Sequence, residues 1–417
     1  MNLPKLPKFC TYCGADLRNY TEPSIKPTQI PQRKVNSKPS PSYRPSIIIA
    51  GCLVIGIIVI APIVMIFLLL GSLFGPPLGP GIEIYTDADF INYSSSGTGT
   101  SEDPYILSNY TLTEQFIGFT IHSTTKHFVI TNCSIEICYE GINVENVAPG
   151  TAKIVSNKIT YDDCWVWETG PHAGITVYSS PGITISNNTI VNAGSEGILI
   201  VDSAECHISN NTISEQSTGI GLEFCNSSVI DKNRVFYCYE AITSFESHNV
   251  NVTNNICTDN YYTCIVLGDS DHLQIINNVC SNNTSTWYSW STGIRLETCN
   301  NVTIANCTIT DCSQGIYMPS SSNCEIYYNR IELNALYGIV ILDAYEPAQS
   351  NTIYFNSFIF NNQKGLSQAS DNGTSNYWYN SRLERGNYWS DWTGSGYYSI
   401  AGTANAFDLY PLSSLPI

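Results

Sequence analysis

A chain of 417 residues with 43% hydrophobic and 12% aromatic content can bury a large core, yet 13% charged residues are too few to coat a helical bundle. Residues 1–45 carry eight Lys and Arg against two acids, whereas the chain beyond residue 70 carries ten against 33, leaving a formal charge of −23 there. An acidic surface of that kind excludes nucleic acid as a partner.

The first element, residues 1–19, contains "FCTYCGADL", in which Cys10 and Cys13 have the C-x-x-C spacing that brings two thiolates to one tetrahedral Zn²⁺. This is half a metal site. No other Cys or His precedes the apolar segment, so Zn²⁺ would need a second chain, which makes the tail a candidate for homo-oligomer contact. The motif is similar to N-terminal zinc-ribbon stubs of archaeal membrane proteins; a metal-free turn is the alternative. Residues 20–45, with six prolines, form an extended linker.

Residues 46–74 hold a charge-free run, Ile47–Leu70, long enough to cross a bilayer core as one helix. It is too long for the apolar region of a signal peptide, and no A-x-A-like cleavage site follows. The basic flank Lys5–Arg44 assigns the N-terminus to the cytoplasm, so the expected arrangement is a single-pass cell-membrane protein with its acidic part extracellular.

Beyond a linker and N-terminal cap at 75–124, one phrase returns throughout 125–370, as in "ITISNNTI", "HISNNTI" and "VTNNIC". Aligned on its second Asn, the column reads Cys133, Asn157, Asn188, Asn211, Asn233, Asn255, Asn278, Cys307, Asn329 and Asn356, mostly at steps of 22 to 24 residues. A β-branched residue stands three positions earlier each time, from Ile130 to Ile353, and a small–aliphatic pair follows, from Gly141-Ile142 to Gly365-Leu366. Strands this short bury a face only when stacked, so the fold class is all-β: a right-handed parallel β-helix of about ten coils, plus the transmembrane helix. Leucine-rich repeats share the period but need a helical half that is absent here. The ladder Asn are expected to bond amide to amide up the stack and to have no catalytic role. Cys257 and Cys280 occupy one apolar column on adjacent coils, where a disulfide is geometrically feasible; buried small hydrophobes are the main expectation for the cysteines.

The entry segment "GTGTSEDPYILSNYTL" (97–112) and the exit segment "GNYWSDWTGSGYYSIAGTANAFDLYPL" (386–412, within a C-terminal cap at 371–417) resemble the caps of NosD-type, carbohydrate-binding-and-sugar-hydrolase β-helix proteins, abundant on archaeal surfaces. The resemblance implies the fold; that fold hosts lyases, epimerases, hydrolases and adhesins. It also implies copper handling, but the outer His share no column and the one outer Met is Met318.

Two coils are lengthened at the same edge, residues 160–174 with Trp165 and Trp167, and residues 280–293 with Trp287, Tyr288 and Trp290. Their bases stand roughly 24 Å apart at about 4.8 Å per coil. Between them the edge carries Glu196, Glu215, Tyr237, Tyr239, Glu240, Asp259, Tyr261 and Tyr262. Rings that stack on sugar faces and carboxylates that accept from hydroxyls make this a candidate trough for an extended carbohydrate or cell-surface polymer. The plainer reading is that the rings anchor long loops. An enzyme would use Glu196, Glu240 or Asp259 as acid and base, and a lyase would want Ca²⁺, another candidate cofactor, with Arg295 the chief outward base. Binding or display ranks above catalysis because no signature picks out a catalytic pair. Asn132, Asn187, Asn210 and Asn306 are glycosylation candidates, because their column elsewhere holds Lys232, Tyr328 and Phe355 and therefore faces outward.

Overall fold

The computed structural model describes residues 81–416 apart from 162–172, 193, 284–290, 363–364 and 366. Cys10, Cys13, the linker and the expected membrane span therefore lie outside the described residues, as do Trp165, Trp167, Trp287, Tyr288 and Trp290. Among the described residues no helix is long and apolar enough to cross a membrane.

The chain winds as a parallel β-solenoid with three faces. The strands that end at the repeated phrase form an 11-stranded sheet from Tyr105–Ser108 to Thr352–Tyr354. The other two faces join in a 22-stranded sheet, because Thr111–His122 and Ser134–Glu145 run across both. Register is strict: Ile208 lies between Ile185 below and Ile230 above. Alternation in strands of three to six residues sends these aliphatic side chains inward, and the β-branched column from Ile130 to Ile353 is fully buried. Coil pairing begins early, with Ile82–Ile84 already parallel to the strand at Phe119.

Each Asn of the repeated pair has a separate task. The first adopts a left-handed backbone, with φ of 57° at Asn187 and 55° at Asn210, a conformation Asn tolerates better than other side-chain-bearing residues. The second turns inward. Asn188 donates from its backbone N and its Nδ2 to Asn211 Oδ1, at 2.9 and 3.0 Å, and Nδ2 also donates to Ile154 O. This pattern runs up the expected column. It loosens at Cys307, whose Sγ is 4.0 Å from Asn278 Nδ2, then resumes through Asn329, Asn356 and Asn387. It ends on the buried carboxylate of Asp408, which accepts from Asn387 N, Trp389 Nε1 and Tyr410 N.

A second ladder turns the next corner through Cys238, Asn260 and Asn283, and again through Cys312, Asn334 and Asn361. Serines line a third, where Ser180 N donates to Ser203 Oγ and Ser247 N to Ser270 Oγ. Cysteine replaces serine without altering the motif: Cys225 Sγ meets Glu223 O as Ser203 Oγ meets Val201 O. Eleven cysteines with described side chains are buried free thiols, Cys257 and Cys280 among them although they pair in register. Burial pushes the Cys206 thiol up to about 11 and Cys225 to about 12.

Close approach fixes the small column. A Cβ on Gly141 would lie 2.3 Å from Gly174 O and 2.8 Å from Ile159 Cγ2. At the tenth coil the expected pair Gly365-Leu366 does not fill this position; Ile339 pairs with Ala369 instead, and Gly365 is exposed. The loop before it lengthens, so counting from the ladder misplaces the strand by a few residues.

Candidate functional site

The strands carrying the Gly-Ile pairs present their alternate residues outward. In register along the stack, the position just before the small–aliphatic pair reads Glu140, Ala173, Glu196, Thr218, Glu240, Thr263 and Thr292. Glu196 and Glu240 therefore share one column two coils apart, about 10 Å by strand spacing. Asp259 does not join them. It occupies a left-handed turn with Glu215 and Tyr237, φ of 58°, 62° and 56°, and its Oδ1 accepts from Asn282 Nδ2.

The edge tyrosines also divide. Tyr237 and Tyr261 are exposed at the turns, Tyr237 edge-on to Phe236 and Tyr261 as the extra residue that makes its coil one longer. Tyr239 and Tyr262 instead stack face to face, centroids 5.0 Å apart and planes 9° from parallel. The Tyr262 hydroxyl accepts from Arg295 Nη1 at 2.9 Å. Arg295 also forms an ion pair with Glu297 and lies 5.5 Å over the Tyr317 ring. Burial pushes the Glu240 carboxyl above its ordinary range; the positive Arg295 opposes this and Glu297 adds to it. Burial likewise raises Glu196, opposed by a hydrogen bond from Ser195 and reinforced by Glu223.

Below this cluster, Glu140 is buried, with its oxygens accepting from Asn143 Nδ2 at 2.9 Å and Thr176 Oγ1 at 3.3 Å. Burial raises Tyr178, and Glu140, Glu196 and Glu223 add to the shift, which places these groups within one field. Glu297, Tyr317, Glu140, Glu223 and Tyr178 were not singled out in the sequence. Alternation from each Gly-Ile pair, reading the second and fourth residues after the Gly, marks Thr176, Tyr178, Glu223, Arg295, Glu297 and Tyr317 as outward.

At the opposite corner Asn132, Asn187, Asn210 and Asn306 are all exposed, each with φ between 54° and 57°. Their column continues through Lys232, Tyr328 and Phe355, and the last two rings stack at 5.1 Å.

Residues 230–394 match the NosD family model, described as periplasmic copper-binding protein, and residues 156–288 match the right-handed β-helix region. No curated protein sequence matches the chain. Among solved structures, the A-module of mannuronan C-5 epimerase AlgE4 from Azotobacter vinelandii is similar with a TM-score of 0.52 at 13% identity, over 75% of this chain and 95% of that one. The periplasmic alginate epimerase AlgG gives 0.42 at 14% identity over 79% and 83%, and the catalytic domain of a GH87 α-1,3-glucanase bound to nigerose gives 0.40 at 10% over 73% and 66%. At such identities the likeness is one of fold.

Copper does not fit the described donors. Met318 is fully buried, the thiols are buried and hard to ionise, and His248 and His272 both point Nδ1 at Asp271 Oδ1, at 2.5 and 3.2 Å. Among the described residues no group of three or more His, Cys, Asp or Glu is placed to hold a metal ion. The chain is a right-handed parallel β-helix, and residues 230–394 of it match the NosD family model.

Proposed function

We propose that this protein binds or displays an extended carbohydrate along the outer side of its Gly-Ile face. The observation that carries the reading is the cluster of stacked Tyr239 and Tyr262 with Arg295, beside Glu240 and one column with Glu196. Flat rings fit sugar C–H faces, while half-buried carboxylates and a guanidinium fix hydroxyls. Polysaccharide-active enzymes and this chain share the β-helix fold, which is consistent with a polymer laid across coils. The Trp-rich insertions would extend the site as aromatic walls. Replacing Tyr239 and Tyr262 with Ala should weaken polysaccharide binding by about 1 kcal/mol per ring, read by affinity electrophoresis, with the β-sheet circular dichroism unchanged. Unchanged binding would show that the rings only pack the edge. The same comparison with Trp167 and Trp287 tests the walls.

A hydrolytic or epimerising enzyme is the second reading, favoured by two carboxyls on one face whose proton affinity burial raises. Glu240→Gln separates the two: binding retained with turnover lost makes the protein an enzyme, while no turnover in the parent chain leaves it a binder.

The site is delivered outside the cell by the Ile47–Leu70 span, with the Cys10–Cys13 tail inside and two tails sharing one Zn²⁺. Protease on intact cells should then remove the β-helix and spare a fragment ending near Leu70. A tail peptide that takes up no Zn²⁺ would refute the shared site.

A further inference from the structure

We propose that the Gly-Ile face selects glycans without acidic groups and rejects polyuronates, a refinement that rests on the carbohydrate reading above. Recognition of a uronate chain needs cations free to meet its carboxylates at each repeat. Among the described residues of these outward strands, from Ser134–Glu145 to Ala369–Asn372, Arg295 is the single Lys or Arg. It is already engaged by Glu297, by the Tyr262 hydroxyl and by the Tyr317 ring. Glu240 stands two coils below it, Glu223 and Glu196 three and four coils below, and Asp269 at the adjoining turn, and among the described residues no other basic side chain on the face offsets them. Like charges act on two of them: Glu223 adds to the burial that raises Glu196, and Glu246 and Glu297 add to the burial that raises Asp269. A polyanion laid along the face would meet that field on the coils of Glu196, Glu223, Glu240 and Glu297.

What the face does offer is hydroxyl chemistry. Thr263 is fully buried at the position next to Glu240, and its Oγ1 has no partner. Glu196 Oε2 and Arg295 Nε are buried atoms that also lack one. An acceptor, a donor and a hydroxyl left unpaired over a stretch of five coils suit an extended ligand that both donates and accepts, as sugar hydroxyls do. Such groups lose free energy until paired, so the site favours a ligand dense in hydroxyls over one that brings charge.

The experiment uses the full chain in detergent with Ca²⁺ chelated, so that no cation can bridge carboxylates, and compares retention by a neutral β-glucan, chitosan, alginate and polygalacturonate at low salt. The expected result is binding to the neutral or amino-bearing polymer at least tenfold tighter than to either uronate. The double variant Glu196→Gln/Glu240→Gln should narrow that gap, with circular dichroism confirming the fold. Alginate or polygalacturonate bound as tightly as the neutral polymer overturns the selectivity and leaves the carbohydrate reading standing. An unchanged gap in the folded double variant overturns its assignment to these carboxylates. Failure of every polymer to bind overturns both.

Discussion

The inner corner of the solenoid and the outer side of its Gly-Ile face are built from the same coils and differ in one respect. At the corner the positions repeat, and each Asn amide from Asn188 to Asn255 gives and receives the same ladder bonds as its neighbours. On the face, Glu196, Thr218, Glu240 and Thr263 succeed one another in a single column, and some of their polar atoms have no partner. Periodicity satisfies polar groups without a ligand. Where the period is abandoned, satisfaction is left to something else, and the proposed binding face lies there.

The sharpest way to break the corner is Asn233→Ala. It removes the acceptor of two bonds from Asn211 and the donor to Ile208 O and Asn255 Oδ1, all buried. The loss should be about 3 kcal/mol or more in chemical denaturation, with glycan affinity of the remaining folded protein unchanged. Gly141→Ala should cost about 2 kcal/mol, because its Cβ falls against the Gly174 carbonyl of the next coil and backbone must shift.

Glu240→Gln reverses the sense of these changes on the face. The folded-state pKa of Glu240 is raised, so its contribution favours folding below the ordinary carboxylate pKa and fades as pH rises through the folded value. The Gln variant should thus equal or exceed the parent in melting temperature at pH 7, and the gain should vanish on acidification through the carboxylate range. A parent that is more stable than the variant at pH 7 would mean that Arg295 outweighs burial. The smallest effect belongs to Cys225→Ser, within about 1 kcal/mol, because serine makes the same bond to the carbonyl two residues back in the coil below. A large loss there would show that sulfur packing, and not the turn bond, sets the residue.

The corner was legible in the sequence because a ladder has to repeat. Aligning on the second Asn recovers the inward column from Cys133 to Asn356, and the β-branched residue three before it follows. The second ladder stands a constant five residues after the first, at Cys238, Asn260, Asn283, Cys312, Asn334 and Asn361, and the repeated phrase masks it because this column has no fixed flanking pair. The face was harder to read. Glu196 and Glu240 fall in one column, but the meeting of Arg295 with Tyr262 depends on a register one residue longer after Tyr239, made by Tyr261. Spacing along the chain does not reveal which neighbour a long side chain reaches across coils. Glu297 and Tyr317 follow only once Arg295 is placed.

Asp408 closes the inner ladder. Every Asn below it offers an amide donor and an acceptor, so a coil of that kind at the top would present an open edge able to template another chain. A carboxylate accepts and cannot donate, and here its oxygens are filled by Asn387, Trp389 and Tyr410. The solenoid thus ends on a group that a further Asn coil cannot extend. A second copy of the chain meets no open amide ladder at this end, which disfavours end-to-end stacking into fibres.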